Sequence, residues 1–419
     1  MTYERMKLAE NIGFSEIIDS KFKKGAIEIS FITPLDPETL SENASATVAV
    51  SMTNSKYPTI TEFSSKLNSL YGSDIFSRIS KVGNFQVNSI SAVWLDSKYA
   101  LEGEDIETET VKMLLDCIFS PDVKDNGFNQ KIFDSVKKDI QSKIDSEINN
   151  KRLYALKQAY EIAFKGEPAE YASYGTSESL QNVTAESAYK AFKNLIANSQ
   201  IEISYVSAQK NDSIIRLLSE SFGNFENKFC NFSFISFSPI KENVERLTET
   251  LDVNQSKMVL AFKSEKDDKY AMKMLSALYG ETPFSKLFAN VREKMSLCYY
   301  CASHFSGLKN CIFVDCGVET KNIEIAEKAI LEQLDEIIKG NFSDEDIQNI
   351  LVSIENSFSG IGDTINSYIN WYKSAVYEGE YITPEKKLEE YRNVTRERII
   401  ECAKSLVLDT VYIMKSREE

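Results

Sequence analysis

Pro283 to Ser303 reads PFSKLFANVREKMSLCYYCAS. Phe284 to Lys294 predicts a helix, and Leu297 to Phe305 predicts the strand that follows it. The junction places Arg292 and Tyr299 near one another. Downstream, Ser306, Gly307 and Leu308 make a hairpin loop into a strand at Cys311 to Val318. Apolar residues at Ile323, Ala326, Ile330, Leu334 and Ile337 then mark an amphipathic helix stopped by Gly340. Ser343, Thr383 before Pro384, and Thr395 open further helices, and Val411 to Met414 supplies a closing strand. Upstream lie a helix near Tyr270 to Tyr279 and a strand at Ser256 to Lys263.

The first half repeats this order. Alternation at Ile27, Ile29 and Phe31 marks a strand closed by Pro34, followed by helices at about Pro37 to Met52 and Thr61 to Leu70. Strands near Asp74 to Val82 and Asn84 to Leu95 turn at Gly83. Long helices continue to about Ala197, a strand follows at Ile201 to Val206, and one more helix covers Ser213 to Glu220. Both halves read β-α-α-β-β-helices-β, which predicts an α+β protein. Its two similar domains each carry a mostly antiparallel sheet covered on one face by helices. The expected boundaries are 1–222, a linker at 223–250, and 251–419. The linker holds the run FCNFSFISF at 229–237, read as packing or, with a basic surround that it lacks, as stacking platforms.

A chain of 419 residues with 42% hydrophobic and 26% charged residues is globular and long enough for two large domains. Its formal charge of −15 opposes nucleic acid or an anionic membrane as the main partner. No apolar run is long enough to span a bilayer, and the first twenty residues mix charges throughout, so a cytoplasmic location is expected. Seven scattered cysteines fit reduced thiols there.

Several chemistries find no support. The set Cys298, Cys301, Cys311, Cys316 and His304 suggests a zinc ribbon. On a strand, however, residues an odd number apart point to opposite faces, so neither cysteine pair should present both thiols together. His304 has no acid or thiol assigned to it and reads as surface or packed. Gly360 and Gly362 lack the rest of a dinucleotide loop, and neither G-x-x-x-x-G-K nor G-x-S-x-G occurs. Tyr368, Trp371, Tyr372 and Tyr377 could line a chamber, although core packing is the default at helical spacing.

The junction segment resembles the second-half signature of the pitrilysin/insulinase-like zinc peptidases, the inverzincins, at Ser285, Leu287, Phe288, Val291, Arg292, Glu293, Leu297 and Tyr299. The element order resembles theirs over nearly the whole chain. Aligning Lys56, Tyr57 and Pro58 with the family's turn places the H-x-x-E-H positions at Ala44, Thr47 and Val48, so every metal-site position is substituted. The family's downstream acidic ligand would fall in FNQKIFDSVKKDIQSKIDSEI, where Asp134, Asp139 and Asp145 read as a solvated helix face. With His304 as its one histidine, the chain cannot build this zinc site.

The likeness is to the bacterial inactive-subunit subgroup that partners a motif-bearing chain. It implies no autonomous catalysis, no cofactor in this chain, zinc only in an H-x-x-E-H-bearing partner subunit, and a peptide or protein substrate. Arg292 and Tyr299 would then bind substrate and transition state from half of an enclosed chamber. The alternative is a binding or scaffold protein that keeps the fold, as a homodimer or core subunit, without a peptidase.

Overall fold

The structure is a computed structural model that describes residues 1–223, 227–229 and 232–417. Its compact units do not follow the sequential halves. One comprises Met1–Asp145, Tyr171–Ser233 and Gly362–Val376; the other comprises Ser146–Glu170, Phe234–Ile361 and Tyr377–Glu419.

The first unit holds a six-stranded sheet built from β1 (Thr2–Ala9), β2 (Ile12–Ile18), β3 (Lys24–Pro34), β4 (Asp74–Val82), β5 (Phe85–Leu95) and β8 (Gln200–Ser207). A short hairpin, β6 (Val123–Lys124) and β7 (Gly127–Phe128), stands apart. The sheet order is β1-β2-β8-β3-β5-β4, antiparallel except for β2 with β8. Ile27, Ile29 and Phe31 of β3 enter a core with Ala44, Leu114 and Phe192 from three helices, Leu40–Val50, Ile106–Phe119 and Ala185–Asn198.

The opposite face of β3 is buried too, although Glu28 and Ser30 are polar. The helix Ile365–Glu378, late in the chain, covers this face. Its Lys373 pairs with Glu28, Tyr372 stacks on Tyr3 at 3.7 Å, and Tyr368 donates to Asp19 at 2.8 Å. The aromatic residues of that helix therefore pack, as their spacing predicts by default.

The second unit holds β9 (Glu245–Leu251), β10 (Ser256–Lys263), β11 (Cys298–Ser306), β12 (Cys311–Val318) and β13 (Val407–Ser416) in the order β11-β12-β10-β13-β9. Only β9 and β13 are parallel. Read from the other end, this order superimposes on β2-β8-β3-β5-β4, with the parallel pair in the corresponding place. The repeat inferred from element order is thus a repeat of sheet topology.

Here also both faces are covered. Ile312, Val314, Cys316 and Val318 of β12 join the main core, whereas Cys311 and Phe313 pack against Ala155, Ala159 and Ala163 of the helix Lys151–Ala163. Alanines four apart let that helix approach the sheet closely. Polar groups fix it there. Arg152 grips Asp315 through two hydrogen bonds, and the buried Lys263 ammonium donates to Ala163 O at 2.7 Å and pairs with Asp409 at 3.2 Å.

Three strands of the two large sheets lie outside the sequence reading. The hairpin β1–β2 forms from the charge-mixed first twenty residues, and β9 occupies the end of the expected linker. Within FCNFSFISF, Cys230 and Asn231 lie outside the described residues. Phe232 stacks on Phe85 at 4.0 Å and Phe234 meets Tyr377 at 5.0 Å, so these rings pack.

Removing Lys263 leaves the fully buried Asp409 carboxylate with the more distant Lys241 ammonium, at 3.6 Å, and with hydrogen bonds from Lys241 N at 3.0 Å and Thr410 Oγ1 at 2.8 Å. Lys263→Met is expected to cost on the order of 3 kcal/mol, read from urea unfolding of the second unit's near-UV signal. In the first unit, burial raises the Glu107 carboxyl above its usual value despite hydrogen bonds from Tyr205 at 2.5 Å and Asn211 at 2.9 Å. A raised carboxyl stabilises the fold when protonated, and that contribution is lost as pH rises past the ordinary glutamate value. Glu107→Gln should therefore gain stability relative to the parent as pH climbs from about 4.5 toward 7, measured as the difference in denaturation midpoints.

Candidate functional site

The segment before β11 is not a regular α-helix. After Lys269–Ser276 the backbone widens into π-helical turns at Ala277–Glu281 and again at Leu287–Lys294. Such widening inserts a residue into the helix and recurs at functional sites. Close packing holds it: a Cβ on Gly280 would lie 2.5 Å from the Ser303 backbone nitrogen, and Ser303 Oγ donates to Ser276 O at 2.7 Å. Leu287 and Val291 enter the core. Asn290 donates to Gln333 at 2.5 Å, and Ser296 turns the chain into β11 through the left-handed region, φ 52°.

Arg292 and Tyr299 line one open cleft of about 430 Å³ with Glu293, Ser296, Leu297, Cys298, Glu319 and Asn322. The Arg292 guanidinium lies 4.5 Å from the Phe288 ring centre and 3.6 Å from Glu293. Tyr299 is 67% exposed, and its hydroxyl has no hydrogen-bond partner among the described residues. Arg292 is thus loosely paired with Glu293, and Tyr299 does not pack into the sheet. A cation and a free phenol at one cleft can hold a carbonyl or carboxylate and donate to a developing oxyanion.

The register explains the exposure. Cys298 pairs with Val318 and Tyr300 with Gly317, so Tyr299 is the extra residue of a β-bulge on an edge strand. This corrects the expectation that Cys298 and Cys301 face opposite ways. The inserted residue restores them to the same face, and both enter the main core. The expectation holds for Cys311 and Cys316, which lie in different cores.

Glu319 and Asn322 were not singled out from sequence. The only available signal is the hairpin itself, which sets the end of β12 beside the start of β11. His304 lies in β11 against Phe313, ring centres 5.4 Å apart, with Tyr160 Oη 3.3 Å from Nε2. Burial lowers its pKa, so it is a packed histidine.

The positions aligned with the zinc motif sit on Leu40–Val50. Ala44 and Val48 are core residues, and Thr47 Oγ1 is occupied by Asn43 O at 2.8 Å. A methyl, an isopropyl and a committed hydroxyl do not fit a zinc ion. Asp134, Asp139 and Asp145 are exposed on the helix Gln130–Ser146, and Gln130 and Gln141 donate to the first and last. Among the described residues, no helix is long and apolar enough to cross a membrane.

Several known proteins are similar to this chain. Residues 182–351 match the family described as Peptidase M16 inactive domain. A Bacillus subtilis (strain 168) protein named Probable inactive metalloprotease YmfF is 25% identical over 403 residues, covering 95% of this chain and 94% of its own. A conserved protein from Enterococcus faecalis V583 shares the fold with TM-score 0.91 at 24% identity over 100% of both chains. A peptidase M16 inactive domain from Pseudomonas fluorescens shares it at 0.80 and 13% identity, over 99% of this chain and 98% of the other.

Because neither side chain supports the core, Arg292→Ala and Tyr299→Phe should each change unfolding free energy by less than about 0.5 kcal/mol. Chemical denaturation of the purified variants checks this.

Proposed function

We propose that this chain, similar over residues 182–351 to the Peptidase M16 inactive domain and along most of its length to a probable inactive metalloprotease, is the non-catalytic subunit of a heteromeric zinc-dependent peptidase. A homologous subunit bearing H-x-x-E-H would bring the metal, whose chemistry there is carbonyl polarisation and activation of water. This chain would supply half of a peptide-binding chamber. Arg292 holds a substrate carbonyl or carboxylate by a two-point contact, fixing the peptide before reaction. Tyr299 donates its phenolic proton to oxygen as negative charge develops, and so acts more strongly in the transition state than in the ground state.

The observation that carries this reading is Tyr299. A tyrosine raised on a bulge, two-thirds exposed and with an unengaged hydroxyl in the same cleft as a guanidinium, is costly to explain as packing. The absence of zinc donors at Ala44, Thr47 and Val48 supports a division of labour between two chains.

Native mass spectrometry of the tagged protein from its own host should recover a complex with a second subunit of similar size that carries one zinc. In that complex Tyr299→Phe should lower kcat by about 10²-fold, in the range for loss of one oxyanion donor, and Arg292→Ala should lower kcat/KM, with assembly intact. A metal-free monomer or homodimer would favour a scaffold role, and unchanged turnover in both variants would remove the assignment of these residues.

A further inference from the structure

The bulge that exposes Tyr299 also gathers three thiols. Cys298 and Cys301 share the core-facing side of β11, and Cys301 stands directly opposite Cys316 on β12. The Cys298 and Cys301 thiols are near enough to influence one another's ionisation, as are those of Cys301 and Cys316. Their access differs. Cys298 is 9% exposed and lines the cleft beside Arg292, whereas Cys301 is 4% exposed and Cys316 fully buried.

Register sets the distance between the first two. Cys298 and Cys301 pair with Val318 and Cys316, so three steps along β11 cover the ground of two along β12. Two strand steps are about 6.7 Å, within the Cα separation that a disulfide spans. Three regular steps, about 10 Å, would be too long. The bulge thus makes this pair bridgeable.

We propose that Cys298 and Cys301 form an oxidation-sensitive dithiol at the cleft, with Cys298 the thiol that attacks the oxidant and Cys301 the resolving one. The Cys298 thiolate attacks a hydroperoxide: an S–O bond forms, the O–O bond breaks, and hydroxide or alkoxide leaves. Cys301 sulfur then displaces the hydroxyl of the sulfenic acid, its proton leaves with that hydroxyl as water, and a disulfide forms. Two thiols are oxidised as one peroxide is reduced. The product closes the four-residue ring CYYC and fixes the bulge that presents Tyr299.

The electrostatics agree with this order of events. The neighbouring Cys301 thiol, and after it the Arg292 charge, hold the Cys298 thiol below its ordinary value against the opposing effect of burial, while its two thiol neighbours and burial push Cys301 well above. Burial pushes Cys311 and Cys402 up to about 12. A thiolate is the nucleophile, and its lower intrinsic reactivity at low pKa offsets only part of the gain in its fraction. The inference stands whether or not the chain joins a peptidase.

The test uses the full chain, hydrogen peroxide, alkylation of remaining thiols and tryptic mapping. Cys298 and Cys301 fall in one peptide, 295–309, and Cys311 and Cys316 in the next, 310–321. The expected result is a 295–309 peptide lacking two hydrogens and both alkyl groups, formed about tenfold or more faster than Cys311 or Cys402 is lost, and reversed by dithiothreitol. Cys301→Ser should leave a sulfenic acid on Cys298 that dimedone captures. The proposal is overturned if 295–309 becomes cross-linked to 310–321 first, if all cysteines oxidise at one rate, or if 295–309 stays doubly alkylated at peroxide levels that oxidise the urea-unfolded chain. The wild-type map alone decides between these outcomes if the variant folds poorly.

Discussion

A strand whose side chains are buried on both faces must be covered twice, and this constraint organises the protein. One face of each sheet is filled by helices that follow its strands in sequence. The other is filled by a single helix from elsewhere in the chain: Ile365–Glu378 on the first sheet and Lys151–Ala163 on the second. Apolar area supplies most of the driving force, but polar pairs decide where these helices sit. Lys373 meets Glu28, Arg152 meets Asp315, and Lys263 meets Asp409 and the end of its covering helix. Charges this buried persist only when paired, so the pairs act as fixed points of register.

The cleft follows from a smaller constraint on the same scaffold. β12 is buried on both faces and cannot shift, since moving it by one residue would exchange its two sets of side chains. Its partner β11 lies at the sheet edge and absorbs an extra residue. The mismatch is placed at Tyr299, next to the turn from the widened helix. One local insertion therefore lifts a phenol into solvent, sets it in the cleft of Arg292, and returns Cys298 to the side of Cys301.

Much of this was legible in the residues. β10 and β12 have the bounds that their apolar runs predict, and the order of elements in each half foretold two sheets of like topology. That the chain cannot build an H-x-x-E-H zinc site follows from the residues alone, because histidines that are absent cannot be folded into place. Arg292 beside Tyr299 was also readable, since a short connection keeps the two close whatever the exact helix geometry. β1 was not legible: it is an edge strand with mixed charges, so water satisfies one side and no apolar alternation appears. Glu28 and Ser30 alternate with the core residues of β3, yet they are buried, and a helix more than three hundred residues away pairs with Glu28.

The sequence by itself determined the two-part α+β plan, the lack of a histidine pair for an H-x-x-E-H site and the nearness of Arg292 and Tyr299, because these depend on residue type and short-range spacing. The tertiary structure decided which helix covers which sheet and where β11 bulges. It also decided which cysteines share a face. Those depend on pairing between residues distant in the chain, where a shift of one position reverses every side chain and leaves no trace in local pattern.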